Sequence, residues 1–292
     1  MAQAYADRGA SVELCCAGQP VARYVWDPQL PTAVSPRPYL HPVTTLGGTT
    51  VTGFMPDDHV HHLGASIAVP LLNQANFWGG RTYVAGHGSV GLDNHGRQRH
   101  SRWLHRSDDR LVQELCWTGR DGEPLASEER SLTVRPVAAT AWLLRVGFAL
   151  RSSTGHPLTI DSPGARGRAG AGYGGFFWRA PAGLERVHAF GRGRSGDVHG
   201  SREPWVVLTG RRPGAAAWTL VFMAGMDDPW FVRSGDYAGV CSAVAWDRPL
   251  VVAADGVLSR RLSVLVADGP PTDGTMAAIH TAASYLRATS AG

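Results

Sequence analysis

Trp142-Leu-Leu-Arg-Val-Gly-Phe-Ala-Leu150, WLLRVGFAL, is mostly apolar over nine residues and far short of a membrane span. Such a run suits a strand covered on both faces. Similar runs lie on either side of it. Leu111–Trp117, Arg130–Arg135 and Leu158–Ile160 are strand candidates separated by turn residues such as Arg120-Asp-Gly122 and Ser153-Thr-Gly155. Phe176–Arg179, Trp205–Thr209, Trp218–Ala224, Ser242–Trp246, Leu250–Ala253 and Leu262–Ala267 extend the series toward the C-terminus. Toward the N-terminus, Ser11–Cys16 and Val21–Trp26 flank Gly18-Gln-Pro20 and predict a hairpin, and Pro28 to Pro42 predicts an extended connector. Thr49–Gly53 and Ala65–Leu72 add two more candidates. Only the end reads as helix, with Met276, Ile279, Ala283 and Leu286 spaced by three and four after the candidate caps Thr272 and Asp273. The pattern predicts an all-β chain: one large antiparallel β-sandwich domain over residues 1–292, closed by a short C-terminal helix.

The totals agree with that class. The 292 residues include 36 Gly and 19 Pro, a turn frequency that favours many short strands. Hydrophobic residues make up 43% and charged residues 18%, which suits a globular protein and excludes a disordered one. All 28 cationic residues are Arg, so a lysine Schiff base is excluded. A net charge of +4 with Arg spread along the chain makes no case for nucleic acid. No apolar run nears the ~20 residues of a membrane helix, and the N-terminus lacks the charged and apolar segments of a signal peptide. Cys15, Cys16, Cys116 and Cys241 show no paired spacing and predict reduced thiols in a cytoplasmic protein.

The chemistry concentrates in Pro56-Asp-Asp-His-Val-His-His-Leu-Gly64, where Asp57 and Asp58 precede His59, His61 and His62. Acidic neighbours orient imidazoles and raise their pKa, which suits acid–base work; the same carboxylates could support metal-bound histidines. In a strand, His59 and His61 would face the same way and share one divalent metal. Gly53 followed after five residues by His59-Val-His61 matches the start of the cupin metal motif, which then lacks its glutamate. Acid–base work, substrate binding and metal ligation stay open here, and no cofactor is otherwise called for. A second concentration holds His87, Asp93, His95, His100 and His105; Asp93 and His95 alternate and could enter one cleft. A third, Asp197 to Arg202, holds His199 and leads into Trp205. Among the ten tryptophans, Trp78, Trp205 and Trp230 lie beside Gly, Pro, Asn or Arg, the setting of a platform on which a sugar ring stacks. Gly170-Ala-Gly-Tyr-Gly-Gly175 matches a dinucleotide fingerprint by letter only, because an apolar FFWR follows where a helix should start.

Taken together, RPYLHP (37–42), DHVHHLG (58–64), NQANFWGG (73–80), LDNHGRQRH (92–100), GAGYGGFFWR (170–179), VHGSREPW (198–205) and DPWFVR (228–233) resemble the bacterial PmoA-like family across nearly the whole chain. The resemblance implies a β-sandwich similar to the galactose-mutarotase-like supersandwich and an association with carbohydrate catabolism. Its name points to a methane oxygenase, a membrane protein, and a chain without a span is not expected to be one. The family's histidine signature falls on His41, His59, His61 and His62, and its Asn–Phe–Trp element on Asn73, Asn76, Phe77 and Trp78.

The expectation is a carbohydrate-active enzyme of lyase, hydrolase or epimerase type, acting on a small sugar-like substrate. His59, His61, His62 and Asp58 would form one half of its catalytic site, and Asp93, His95 and His199 the other. His41, Asn76, Trp78, Arg179, Arg202, Trp205 and Trp230 would bind substrate. A metal enzyme using His59 and His61, or a sugar-binding protein without chemistry, are the rivals.

Overall fold

A computed structural model describes residues 5, 8–192, 198–224 and 228–272. Two antiparallel sheets dominate it. The seven-stranded sheet runs, in spatial order, Gly9–Cys16, Gln19–Pro28, Tyr39–Val43, Ala65–Ala68, Gly175–Arg179, Ala238–Ala243 and Trp230–Ser234. The eight-stranded sheet runs Arg186–Gly191, Trp205–Arg211, Trp218–Ala224, Leu258–Asp268, Ala141–Ser152, Pro124–Ala138, Arg110–Thr118 and Arg97–Arg106. A three-stranded sheet and the Thr82–Val84/Gly88–Val90 hairpin complete it. Among the described residues no helix is long and apolar enough to cross a membrane.

The β-sandwich expected from the sequence is what forms. Trp142, Leu144, Val146, Phe148 and Leu150 alternate into one core with residues from both sheets, and Trp178 of one sheet meets Phe222 of the other edge to face at 5.7 Å. Only the start of the Ala141–Ser152 strand is buried on both faces. From Leu144 on, buried residues alternate with the half-buried Arg145, Gly147 and Ala149. The inner faces also enclose a polar network. Arg130 donates to both oxygens of Glu128 at 2.7 and 2.8 Å, and Trp117 Nε1 donates to Glu128 at 2.7 Å. Arg130 reaches Gln98, and Gln113 donates to the Tyr24 hydroxyl of the other sheet.

Several boundaries moved for local reasons. The first hairpin turns at Ala17–Gly18, both at positive φ, so Gln19 and Pro20 already belong to the return strand. Ala65–Leu72 divides at Val69–Pro70 into two strands that join different sheets. Thr49–Gly53 is not a strand and keeps one isolated bridge, Thr44 to Thr50. The strand Ala238–Ala243 starts four residues before the Ser242–Trp246 that the sequence predicts. Arg97–Arg106, which the sequence did not mark as a strand, is the mostly exposed edge strand of the larger sheet. The expected C-terminal helix and Asp197 lie outside the described residues.

Candidate functional site

The outer face of the seven-stranded sheet carries the site. Cross-strand partners point to the same side of a sheet, so registers assign its rows. Arg179, Gly239 and Arg233 form one row, and Phe177, Cys241 and Phe231 form the next. Residues 57–64 fold over this face. They are not a strand: His59 N–H donates to the Pro56 carbonyl and His62 N–H to the His59 carbonyl, giving two consecutive turns. The turns, not strand alternation, bring three imidazoles together. The His59 and His62 rings stack at 4.5 Å, His61 meets His62 at 4.8 Å, and His59 to His61 is 5.7 Å.

Buried Arg37 fixes this loop from beneath. Its guanidinium donates to the carbonyls of Val34, Ser35, Trp78 and His61 and to the Ser66 hydroxyl. Gly79 and Gly80, at φ +97° and +68°, leave room for the His61 side chain: a Cβ on Gly80 would lie 2.9 Å from His61 Nδ1.

A chain of polar contacts links the cluster. His59 Nδ1 bonds Asp58 at 2.8 Å, Arg179 Nη2 donates to both Asp58 oxygens at 3.4 Å, and Arg179 Nη1 donates to His62 Nδ1 at 3.2 Å. The Arg179 guanidinium also lies 4.3 Å over the Tyr237 ring. Desolvation pushes the Asp58 carboxyl up, but the His59 hydrogen bond and the Arg179 charge outweigh it and hold the pKa below the ordinary value. The expected rise in histidine pKa does not occur at His61 and His62. Burial first, then neighbouring positive groups, pull His61 down to about 3 and His62 well below its usual value. Asp57, exposed, does not offset this. Burial likewise takes His41 to about 4; it bonds Thr52 and stacks on Phe54.

The tautomers follow from these partners. His62 accepts from Arg179 at Nδ1, so its proton is on Nε2. Asp58 is an acceptor, so His59 donates from Nδ1 and keeps a lone pair on Nε2. His62, placed by the sequence in the catalytic half, is 2% exposed and enclosed by His59, Trp78, Phe177 and Tyr237, so its ring is covered where an open group was expected. The open groups are His59 and Asp58, at 36% and 48% side-chain exposure. Beside them Asp58 and Arg179 border a groove of ≈ 710 Å³, whose walls include His41, Thr50, Thr52, Phe54 and Arg212.

Other sequence candidates lie elsewhere or act as scaffold. Asp93 is exposed and pairs with Arg120 at 2.6 Å. His95 bonds the Gly80 carbonyl at 2.8 Å, behind the glycine that adjoins His61. Asn76 is buried, accepts from Trp78 and Gly79 N–H and donates to Thr82, so its side-chain amide is engaged within its own loop. His199 belongs to a second group on the same sheet face: it bonds the Gly170 carbonyl, accepts from Val232 N–H and contacts Arg233. Its ring nitrogens hold the glycine-rich segment to the sheet, so it does not complete the His59 pair. Trp78, Trp205 and Trp230 are 5%, 3% and 1% exposed and cannot serve as open platforms; Trp230 Nε1 donates to the Glu203 carbonyl, and Trp205 packs on the larger sheet. Arg202 is exposed ahead of Trp205–Arg211. Tyr173, Tyr237 and Trp246 are half-buried aromatics on this face; Tyr173 falls in the quoted glycine-rich motif and Trp246 at the end of a predicted strand, whereas nothing in the sequence marked Tyr237. The 163–174 segment is glycine-rich because Trp246 lies against it: a Cβ on Gly164 or Gly172 would come within 2.3 Å of the Trp246 carbonyl oxygen.

The metal reading loses its premise, since His59 and His61 sit in turns and not on one strand face. Among the described residues, no group of three or more His, Cys, Asp or Glu is placed to hold a metal ion.

No curated protein matches the chain. A crystal structure from Escherichia coli K12, described as a "Putative aldose 1-epimerase", is similar at 9% identity and a TM-score of 0.43, covering 89% of this chain and 99% of that one. The PmoA-like name expected from the motifs is not the name of the family that matches. That family, described as "Family of unknown function (DUF6807)", matches residues 11–281, and the chain belongs to it.

Proposed function

We propose that the protein is an enzyme acting on a small carbohydrate by acid–base chemistry, with His59 as the base. The carrying observation is the Asp58–His59 pair at 2.8 Å beside Tyr237 and Arg179. Asp58 fixes the His59 ring and leaves Nε2 able to take a proton from a sugar hydroxyl or from a carbon next to a carbonyl. Tyr237, whose pKa burial raises to about 12 against the pull of Arg233 and Arg179, stays protonated and donates to the oxygen that gains charge. Arg179, held beneath it by His62, supports that charge. The half-buried rings of Tyr173 and Trp246 supply apolar contact for sugar C–H bonds. The four cysteines, all free, suit a cytoplasmic setting.

The test is proton NMR in D2O with aldoses, keto-sugars and uronic acids, reading interconversion, elimination or deuterium incorporation. Wild type should turn over at least one class, and His59→Ala should slow it about 10²–10⁴-fold. Full activity in His59→Ala would remove the base assignment. A sugar that binds and is recovered unchanged would make the protein a binding module.

A further inference from the structure

The outer face of the eight-stranded sheet is apolar and closed to solvent. Cross-strand partners give its rows. Phe190, Val207, Val221, Leu265 and Leu143 form one; Trp205, Met223 and Ser263 lie on one side of it, and Thr219, Ala267 and Ala141 on the other. The alternate residues, among them Val206, Leu220 and Val264, point inward to the core between the sheets. Side chains stand roughly perpendicular to a sheet, so row neighbours cover each other's flanks and not their tips. Yet Val207 and Val221 are 0% exposed, Met223 1%, Leu265 2%, and Ser263 and Thr219 0%. Every apolar member of this cluster among the described residues comes from the one sheet, so no described apolar side chain from another layer supplies the cover.

Outside the described residues lie 1–4, 6–7, 193–197, 225–227 and 273–292. The first two flank Tyr5, which packs with Val25 of the other sheet. The next two are tied at both ends and too short to lie across five strands, a width of roughly 19 Å. Residues 273–292 reach about 30 Å even as a helix. The path of the chain leads them to this face. Gly269, at φ +78°, turns the chain out of Leu258–Asp268, and the Thr219 hydroxyl, standing on the outer face, donates to its carbonyl at 2.8 Å. Pro270 and Pro271 then line a groove of ≈ 580 Å³ with His188, Phe190 and Thr209, which face outward as well. Beyond Thr272, Met276, Ile279, Ala283 and Leu286 recur at spacings of three and four, and Asp273 and Arg287 are the only Asp, Glu, Lys or Arg. Such a sequence has one apolar side to bury and little charge to oppose burial.

We propose that residues 273–292 dock on the outer face of the eight-stranded sheet of their own chain, with Met276, Ile279, Ala283 and Leu286 seated on the row of Val207, Val221 and Leu265. The segment is an intramolecular cover. It closes an apolar face to water and to other copies, on the side of the sandwich opposite the histidine cluster.

The test is photo-crosslinking of the full chain with benzoylphenylalanine installed in place of Ile279, in a mixture of unlabelled and isotope-labelled copies, mapped by mass spectrometry. The crosslinks should fall within one chain and on Trp205–Arg211, Trp218–Ala224 or Leu258–Asp268. Crosslinks to another face, crosslinks only between copies, or none would each overturn the assignment. The full-length double variant Met276→Asp/Ile279→Asp should lift the cover, so that binding of an apolar dye rises several-fold and sedimentation shows new self-association. Dye binding and sedimentation unchanged from wild type would also overturn it. If the double variant fails to fold, the crosslink in the otherwise native chain decides.

Discussion

Arg37 is 1% exposed and meets no carboxylate among the described residues; its charge is spread over four backbone carbonyls and a hydroxyl. Burial, and then Arg130, pull its pKa down to about 9. Those carbonyls belong to three separate segments, so the side chain ties the 34–35 turn, the 61 turn and the Trp78 loop into one unit. Arg37→Met would leave four covered acceptors unsatisfied, and we expect a loss of about 3–5 kcal/mol in urea unfolding. A loss under 1 kcal/mol would mean that water or rearrangement satisfies them. The histidines' importance was legible in the sequence because three fall within four residues, but Arg37 was not: one arginine among 28 cationic residues carries no mark of burial. The direction of the pKa shifts was misread for the same reason. Adjacent aspartates are visible in sequence, whereas desolvation depends on which distant rings close over His61 and His62.

At the scale of elements, readability follows apolar content. Ala141–Ser152 lies in the interior of its sheet, and its near-continuous apolar run marked it as a strand and set the all-β class, though not its neighbours. Edge strands gave no such signal: Arg97–Arg106 has one buried residue, Gln98. The turns at 56–62 could not be told from a strand, since His-x-His spacing is the same in both. The Pro124–Ala138 strand shows another limit. Only its Arg130–Arg135 portion was expected, because Glu128 and Arg130 sit at inward positions where apolar residues belong. Together they form a covered ion pair joined to Trp117, Gln98 and Tyr24. Although burial pulls Arg130 down, Glu128 more than restores it and raises its pKa. Glu128→Gln would strand the Arg130 charge between the sheets and should cost about 3–5 kcal/mol, while the double change Glu128→Met/Arg130→Met should cost much less. Equal losses in the single and double variants would show that the pair stabilises the fold directly.

Across the whole molecule, the buried neutral histidines set a pH dependence. In the unfolded chain each imidazole titrates near ~6.5; in the folded protein His41 titrates at about 4, His61 at about 3, and His62 well below its usual value. Below ~6.5 the unfolded state therefore binds protons that the folded state refuses. Stability is complete above that pH and falls as pH drops toward the folded values. We expect a loss on the order of 2–4 kcal/mol between pH 7 and pH 5, less than an ideal sum because solvent screens the half-buried His41 and His61. Urea midpoints at pH 7, 6 and 5 measure it, and a flat series would contradict the buried neutral cluster.

The Arg97–Arg106 strand also bears on how copies of this chain meet. Gln98 N–H donates to the Pro36 carbonyl, and among the described residues no strand pairs with the outer edge, which could template one from a neighbour. Yet Arg97, Arg99, Arg102 and Arg106 are all exposed along it, and a second copy approaching in register would bring like charges together. Guanidiniums keep their charge through the whole range in which a protein stays folded. The rim that looked like an unremarkable polar stretch is a standing deterrent to fibrous self-assembly, and one that acidification, which weakens the histidine face, leaves in force.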